Sequence, residues 1–205
     1  MSAAPADGLA AGPDGRPRCW WGVSTPDYLT YHDTEWGRPV RGEDAVYERL
    51  VLEGFQSGLS WLTILRKREN FRTAFARFEI EAVARFGPED VERLVQDAGI
   101  IRHRGKIEAA IGNAQAAAAL HAEGGSLSEL LWSHAPAPRA APQTLADVPA
   151  QTPESKALSK ALKARGFRFV GPTTLYAAMQ ACGVVNDHLA DCAARDRPIG
   201  GGVDA

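Results

Sequence analysis

The 205-residue sequence predicts an all-α fold. Apolar residues recur at helical intervals, first as Val46, Tyr47, Leu50, Val51 and Gly54, later as Ile107, Ala110, Ile111, Ala114 and Ala118. Helix start and stop signals bracket two further segments. No run shows the apolar-polar alternation of a half-buried strand. A hydrophobic fraction of 45% suits a globular chain with one sizeable core, or two helical lobes sharing it.

The elements follow in order. Residues 1 to 16 are mostly Ala, Gly, Pro and Asp, with little to bury; they and the tail from 196 to 205 are expected to lie outside the fold. A single domain is expected over residues 17 to 195. Up to about residue 42 the chain is aromatic and irregular, so it must be tied to a helical body that begins near Val46. PEDVERLVQDAG reads as a helix ending at Gly99, and HRGKIEAAIGNAQAAAALHAE as the next, with a short turn between them. The Pro- and Ala-rich residues 134 to 151 read as a long surface connection. Thr152-Pro153-Glu154 is an N-cap followed by proline at the first helical position, opening a helix that stops at Gly166. A last helix runs from Pro172 to about Cys182, with Gly183 as its stop.

Charge and composition narrow the function classes. With 23 Lys+Arg against 25 Asp+Glu the net charge is -2, so any nucleic-acid surface must be a local patch. No run approaches the roughly 18 apolar residues of a membrane span, and the N-terminus lacks the basic-then-apolar order of a signal peptide. A cytoplasmic protein without a membrane partner is expected. Three cysteines, Cys19, Cys182 and Cys192, are too few and too far apart for a disulfide framework.

Two of them suggest how the irregular N-terminus is tied down. His188 and Cys192 are four apart, which on a helix places both on one face, a spacing suited to one metal. Cys19 and His32, with twelve residues between them, could supply a second pair. A Cys2His2 set leaves no open position for water and would make a structural zinc site. Spacing alone is equally compatible with two buried histidines and two small packed thiols.

The stretch LVQDAGIIRHRGKI, residues 94 to 107, combines a tight turn with Arg102, Arg104 and Lys106. A turn feeding a helix N-terminus exposes unpaired N-H groups that bind phosphate, and the cations would add attraction to the same oxygens. A solvated connection with incidental basic residues has the same pattern. Glu53 falls three after Leu50, on or beside the apolar stripe of its helix, where an unpaired carboxylate is costly. A boundary glutamate paired with a nearby arginine is the plainer reading.

LVQDAGIIRHRGKI, YHDTEWG (31 to 37), LEGFQSGLSW (52 to 61), KRENFR (67 to 72), SKALKARGFRFVG (159 to 171) and MQACGVVNDH (179 to 188) together resemble the 3-methyladenine DNA glycosylase I family of bacterial base-excision repair. The likeness spans about Cys19 to Cys192. It implies a helix-hairpin-helix glycosylase fold whose N- and C-terminal segments are joined by one structural zinc on Cys19, His32, His188 and Cys192. It implies a DNA-anchoring hairpin over Gly99, Ile101, Arg102, Arg104 and Lys106. Trp21, Tyr28, Tyr31 and Trp61 match the aromatic wall of the base pocket, and Glu53 matches the carboxylate that contacts the flipped base. The implied reaction is hydrolysis of the N-glycosidic bond of 3-methyladenine in double-stranded DNA, without a lyase step. A monomer is expected, since one copy suffices for one lesion.

Two features qualify the resemblance. Ala178 stands where an aromatic commonly precedes the methionine of this family, and Cys182 matches no ligand position. Two other readings remain: an inactive zinc-containing helix-hairpin-helix DNA-binding protein, and a zinc deaminase. The second needs a His-x-Glu and a Pro-Cys-x-x-Cys, and neither occurs here.

Overall fold

The computed structural model describes residues 5 to 196, and within them the protein is mostly helical. The helices are α1 (Pro26–Thr34), α2 (Glu43–Gln56), α3 (Trp61–Ala74), the single turn α4 (Ile80–Val83), α5 (Pro88–Gln96), α6 (Arg104–Ala122), α7 (Leu127–Trp132), α8 (Pro153–Ala164) and α9 (Pro172–Ala181). No described helix is long and apolar enough to cross a membrane. Most starts carry the expected chemistry. Ser60 caps α3 by accepting the Thr63 N-H at 3.2 Å, and Thr152 caps α8 by accepting that of Ser155, with Pro153 at the first position. Gly166 and Gly183, both at positive φ, follow α8 and α9 as the sequence indicates.

Helix α2 is the centre of the molecule. It packs against α3, α6, α7 and α9, and nine of its residues are buried. Tyr47 is fully buried, and its hydroxyl donates to the Ala110 carbonyl at 2.8 Å, joining α2 to α6. Phe55 stacks into a run of rings with Phe71, Phe75 and Phe78. Ala76, Arg77 and Phe78 all have positive φ, a left-handed turn that costs roughly 1–2 kcal/mol per residue. Full burial of Phe78 against Phe75 and Tyr47 offsets part of that cost.

Three expectations need correction. Residues 5 to 16 are part of the fold: Leu9–Ala11 forms β1, antiparallel to β2 (Pro17–Cys19). Low hydrophobicity misleads here because the hairpin is held by its ladder and by Arg18, 3% exposed, which donates to Asp14 and Asp33. Residues 1 to 4 and 197 to 205 lie outside the described residues. The segment carrying His188 and Cys192 is not a helix: the Cys192 N-H returns only to Leu189, in a tight turn. Gly183 ends α9 just before it, and a Cβ at Gly183 would lie 2.4 Å from the Arg38 backbone, so the chain must turn close against 38–39.

Lys106 is the third correction. It does not face outward with the other cations of the hairpin but lies 8% exposed, its ammonium donating to the Phe55 carbonyl at 2.9 Å and the Ser57 carbonyl at 2.5 Å. These are carbonyls at the C-terminus of α2, which a helix leaves unpaired and which attract cations. Replacing Lys106 by Met is therefore expected to lower unfolding stability by roughly 1.5–3 kcal/mol, measured by urea denaturation, because charged hydrogen bonds are lost and not a surface charge.

Candidate active site and metal-ligating cluster

The site is built on one face of α2. Glu53 is 6% exposed, and among the described residues nothing donates a hydrogen bond to its carboxylate. Burial pushes its carboxyl up to about 8, against the opposing pull of the Arg49 guanidinium one turn earlier. Arg49 does not close on Glu53. One of its terminal nitrogens donates to Glu35 at 2.9 Å, where Arg68 also binds with two contacts, and the other, Nη1, is buried without a hydrogen-bond acceptor.

The expected aromatic residues gather beside this carboxylate. Tyr31 lies 5.5 Å from the Trp61 ring, and Trp21 meets Tyr28 edge to face at 5.5 Å and Tyr31 at 6.4 Å. Tyr28 accepts the Leu62 N-H at 2.9 Å, pinning α1 to the first turn of α3. The charge of Glu53 adds to burial in pushing the Tyr28 and Tyr31 hydroxyls up, which places both within its field. The Trp61 indole N-H is buried without an acceptor. A carboxylate without donors and an indole N-H without an acceptor are the complementary groups a polar ligand would satisfy. Trp36 completes the cluster, 5.0 Å from Trp21 and 4.6 Å from His188; residue matching passed over it although it lies inside YHDTEWG. Ala178 is fully buried in the core.

The metal candidates lie directly behind Trp21. Cys19, His32 and Cys192 are buried, and their ligand atoms all fall within 4.8 Å of one another. Trp21 stands 5.1 Å from the His32 ring. His188 is also buried, with its ring 4.7 Å from that of His32, but its Nε2 is turned to the His32 carbonyl at 3.3 Å. Three of the four expected residues thus converge and the fourth adjoins them. Hydrogen bonds from Cys19 and His32 draw the Cys192 thiol down, and burial holds His188 at about 4, so a thiolate and a neutral imidazole are the favoured forms. These are the forms that ligate a metal. His32 Nδ1 contacts Asp33 at 2.9 Å and His188 Nδ1 contacts Asn186 at 2.9 Å, partners of the kind that orient ligating histidines. Cys182 lies apart, fully buried, its thiol pushed up to about 12 by burial.

Between α5 and α6 the turn is anchored by buried Ile100. The N-H groups of Ile101, Arg102, Arg104 and Gly105 have no acceptor among the described residues, and all sit at the start of the 19-residue α6. Gly99 contributes differently: its N-H is taken by Asp97 at 2.7 Å, and a Cβ there would lie 2.9 Å from that carboxylate. Arg102 is exposed and makes no ion pair among the described residues, whereas Arg104 forks onto Glu92 with two 2.8 Å contacts. Lys67 donates to the Ala98 and Gly99 carbonyls, and Asn70 to that of Gly99, so α3 braces the turn. These braces were hidden in KRENFR, where only the fold brings them to the hairpin.

The chain as a whole is similar to known proteins in sequence and in fold. The methyladenine glycosylase family profile matches residues 21–196. DNA-3-methyladenine glycosylase 1 of Escherichia coli is 52% identical over 178 residues, covering 85% of this chain and 95% of that protein. DNA-3-methyladenine glycosylase of Haemophilus influenzae is 46% identical over 178 residues, covering 85% and 96%. Among solved structures, a 3-methyladenine DNA glycosylase I superposes with TM-score 0.82 at 48% identity, covering 85% of this chain and 97% of the other. The Staphylococcus aureus enzyme, studied for 3-methyladenine recognition, gives 0.83 at 37%, covering 88% and 97%. Matched over nearly its whole described length, in sequence and in fold, the chain belongs to the methyladenine glycosylase family.

Proposed function

We propose that this protein is a DNA-3-methyladenine glycosylase, and that the observation carrying this reading within the molecule is Glu53, buried without hydrogen-bond donors beside the aromatic cluster. A base alkylated at N3 carries positive charge. Aromatic faces attract such a cation by roughly 0.5–2 kcal/mol per contact, and a carboxylate can both neutralise it and accept hydrogen bonds from the amino edge. Burial alone favours the protonated form of Glu53 near neutral pH; an arriving cation would supply counter-charge and favour ionisation.

The bond between the sugar C1′ and the base breaks with its electron pair passing to the base, whose positive charge is thereby neutralised. Water adds to C1′ and gives up a proton, leaving an abasic site. Alkylation already makes the base a good leaving group, so binding that favours the departing base over the intact stack supplies much of the catalysis. An inactive DNA-binding descendant would not be expected to keep Glu53 together with Trp21, Tyr28, Tyr31 and Trp61.

The α5–α6 turn reads as the hairpin of a helix-hairpin-helix motif, gripping duplex phosphate through the free N-H groups of Ile101, Arg102, Arg104 and Gly105 and the cation of Arg102. Arg104 would have to exchange Glu92 for phosphate to join them. Cys19, His32 and Cys192, with His188 adjoining, would hold one zinc whose part is structural, joining β2, α1 and the C-terminal turn. One copy acting in the cytoplasm completes the reading.

Purified protein is expected to release 3-methyladenine from alkylated duplex DNA, detected by chromatography, and Glu53→Gln to slow single-turnover excision by more than about tenfold while duplex binding stays nearly intact. Unchanged turnover would remove Glu53 from the reaction. The same substitution should alter pH dependence. Burial lets the folded protein hold a proton on Glu53 up to about pH 8, whereas the unfolded chain loses it near the ordinary glutamate value of 4.5, so stability falls as pH rises between those values. Glu53→Gln should therefore be more stable than wild type at pH 8, with the gap closing towards pH 4.5 in thermal melts. Elemental analysis should find a single zinc per chain, lost in Cys192→Ala, and chelation should lower Tm and activity together. Chelation that abolished activity in a fully stable protein would contradict a structural role.

A further inference from the structure

Arg49 is a buried cation whose charge the ion pairs around it do not fully answer. Its side chain is 11% exposed, and one terminal nitrogen donates to Glu35 at 2.9 Å. The other, Nη1, is buried without a hydrogen-bond acceptor and stands 3.7 Å from the Glu48 carboxylate. Both carboxylates are already held: Glu35 by Arg68 with contacts of 2.6 and 2.8 Å, Glu48 by Arg72 at 2.8 Å. Three guanidinium groups therefore face two carboxylates. Among the described residues the one further acid in this network, Glu69, is exposed and pairs with Arg72.

The surplus charge lies one turn from Glu53. Residues four apart share a helix face, with Cβ atoms about 5–6 Å from each other. Over such a distance, away from water, a guanidinium favours an ionised carboxyl without touching it, and here it opposes the burial that pushes Glu53 the other way. The other groups around Glu53 do not share this task. Helix α1 brings the Tyr28 and Tyr31 hydroxyls and α9 ends at the Cys182 thiol, all three pushed up by burial and neutral near pH 7. Arg68 of α3 is bound to Glu35, and Lys106 of α6 to the Phe55 and Ser57 carbonyls. Arg168, in the α8–α9 loop that packs on Gly54, is exposed. Helices α4 and α7 meet the opposite end of α2, at Asp44 and Glu43.

We propose that Arg49 is a positioning residue of the excision reaction: held on Glu35, it favours the charged form of Glu53 without occupying the carboxylate oxygens, and so sets the lowest pH at which an alkylated base is bound and excised. This rests on the glycosylase reading for the identity of the ligand. An arginine closed on Glu53 would ionise it but fill the oxygens that the amino edge of the base must reach. An apolar residue would leave those oxygens open but favour a proton on them. Only a cation held one step away provides a carboxylate that is both charged and unoccupied.

The test compares Arg49→Met, which fills similar space without charge, with Arg49→Lys, which keeps the charge. Alkylation fixes the charge of the base, so the acid limb of kcat/KM for 3-methyladenine release reports the free enzyme. In wild type that limb is expected to rise towards about pH 8, the value to which burial lifts Glu53. Arg49→Met should move it up by roughly one pH unit, so that excision at about pH 6.5 falls roughly tenfold, while Arg49→Lys holds it near its wild-type position. The Glu53 carboxyl carbon, identified in carbon-13 NMR by its loss in Glu53→Gln, should show the same displacement. A limb and a resonance that stay in place in Arg49→Met would overturn the proposal whatever happens to Tm, because a merely structural arginine alters stability and not this titration. Arg49→Gln repeats the comparison should the methionine variant fail to fold. A resonance that moves with Arg49 in a protein that releases no 3-methyladenine would uphold the action on Glu53 while refuting the glycosylase reading.

Discussion

A carboxylate buried in the central helix without a hydrogen-bond donor is the constraint around which this structure is arranged. Glu53 lies on α2, which α3, α6, α7 and α9 enclose, and the usual remedy, an arginine one turn away, is withheld. Arg49 is turned instead to Glu35, which Arg68 grips from α3. Had Arg49 closed on Glu53, the pair would satisfy itself and leave a ligand little to gain. Withdrawing a carboxyl group from most of its water without a donor in return is costly, and the surrounding core of Tyr47, Leu52, Phe55, Ile64 and Phe71 provides the stability that tolerates it.

The aromatic wall depends on the two ends of the chain as much as on the helices. Trp21 follows β2 by two residues and stands between Tyr28 and Tyr31 on one side and His32 and Trp36 on the other. His32 in turn contacts Cys192, and the Asp33 that faces its Nδ1 is held by Arg18. The ligand cluster and the small β-hairpin therefore set where the pocket wall stands. Additional backbone links, from Ala193 to Pro17 and from Leu189 to the Cys19 sulfur, close the ends together. A change at this joint reaches the pocket through two layers of rings.

The hairpin divides three cations of one short stretch among three tasks. Arg102 stays free in solvent, Arg104 pairs with Glu92, and Lys106 turns inward to cap α2. The third links the two candidate regions physically, because the helix that carries Glu53 ends on the helix that begins at the α5–α6 turn. Lys67 and Asn70 add a second link from α3, whose first residue is Trp61. The proposed base pocket and the proposed phosphate grip are thereby joined through α2, α3 and α6.

Helix positions, the glycine stops after α8 and α9 and the α5–α6 turn were legible in the sequence, because periodicity and capping chemistry are local properties of the chain. Local signals failed where the outcome depended on distant partners. The β-hairpin at residues 9 to 19 has only Leu9 as a large apolar residue and is held by Arg18 reaching Asp33; the His188 to Cys192 turn has helical spacing but follows a glycine packed on Arg38. Lys106 reads as one more surface cation until α2 supplies carbonyls for it to cap. The sequence by itself determined which groups the molecule possesses and which helices carry them. Only the tertiary structure decided which of those groups are satisfied internally and which, like Glu53, have no donor within the described residues, since hydrogen-bond satisfaction depends on atoms far apart in the chain.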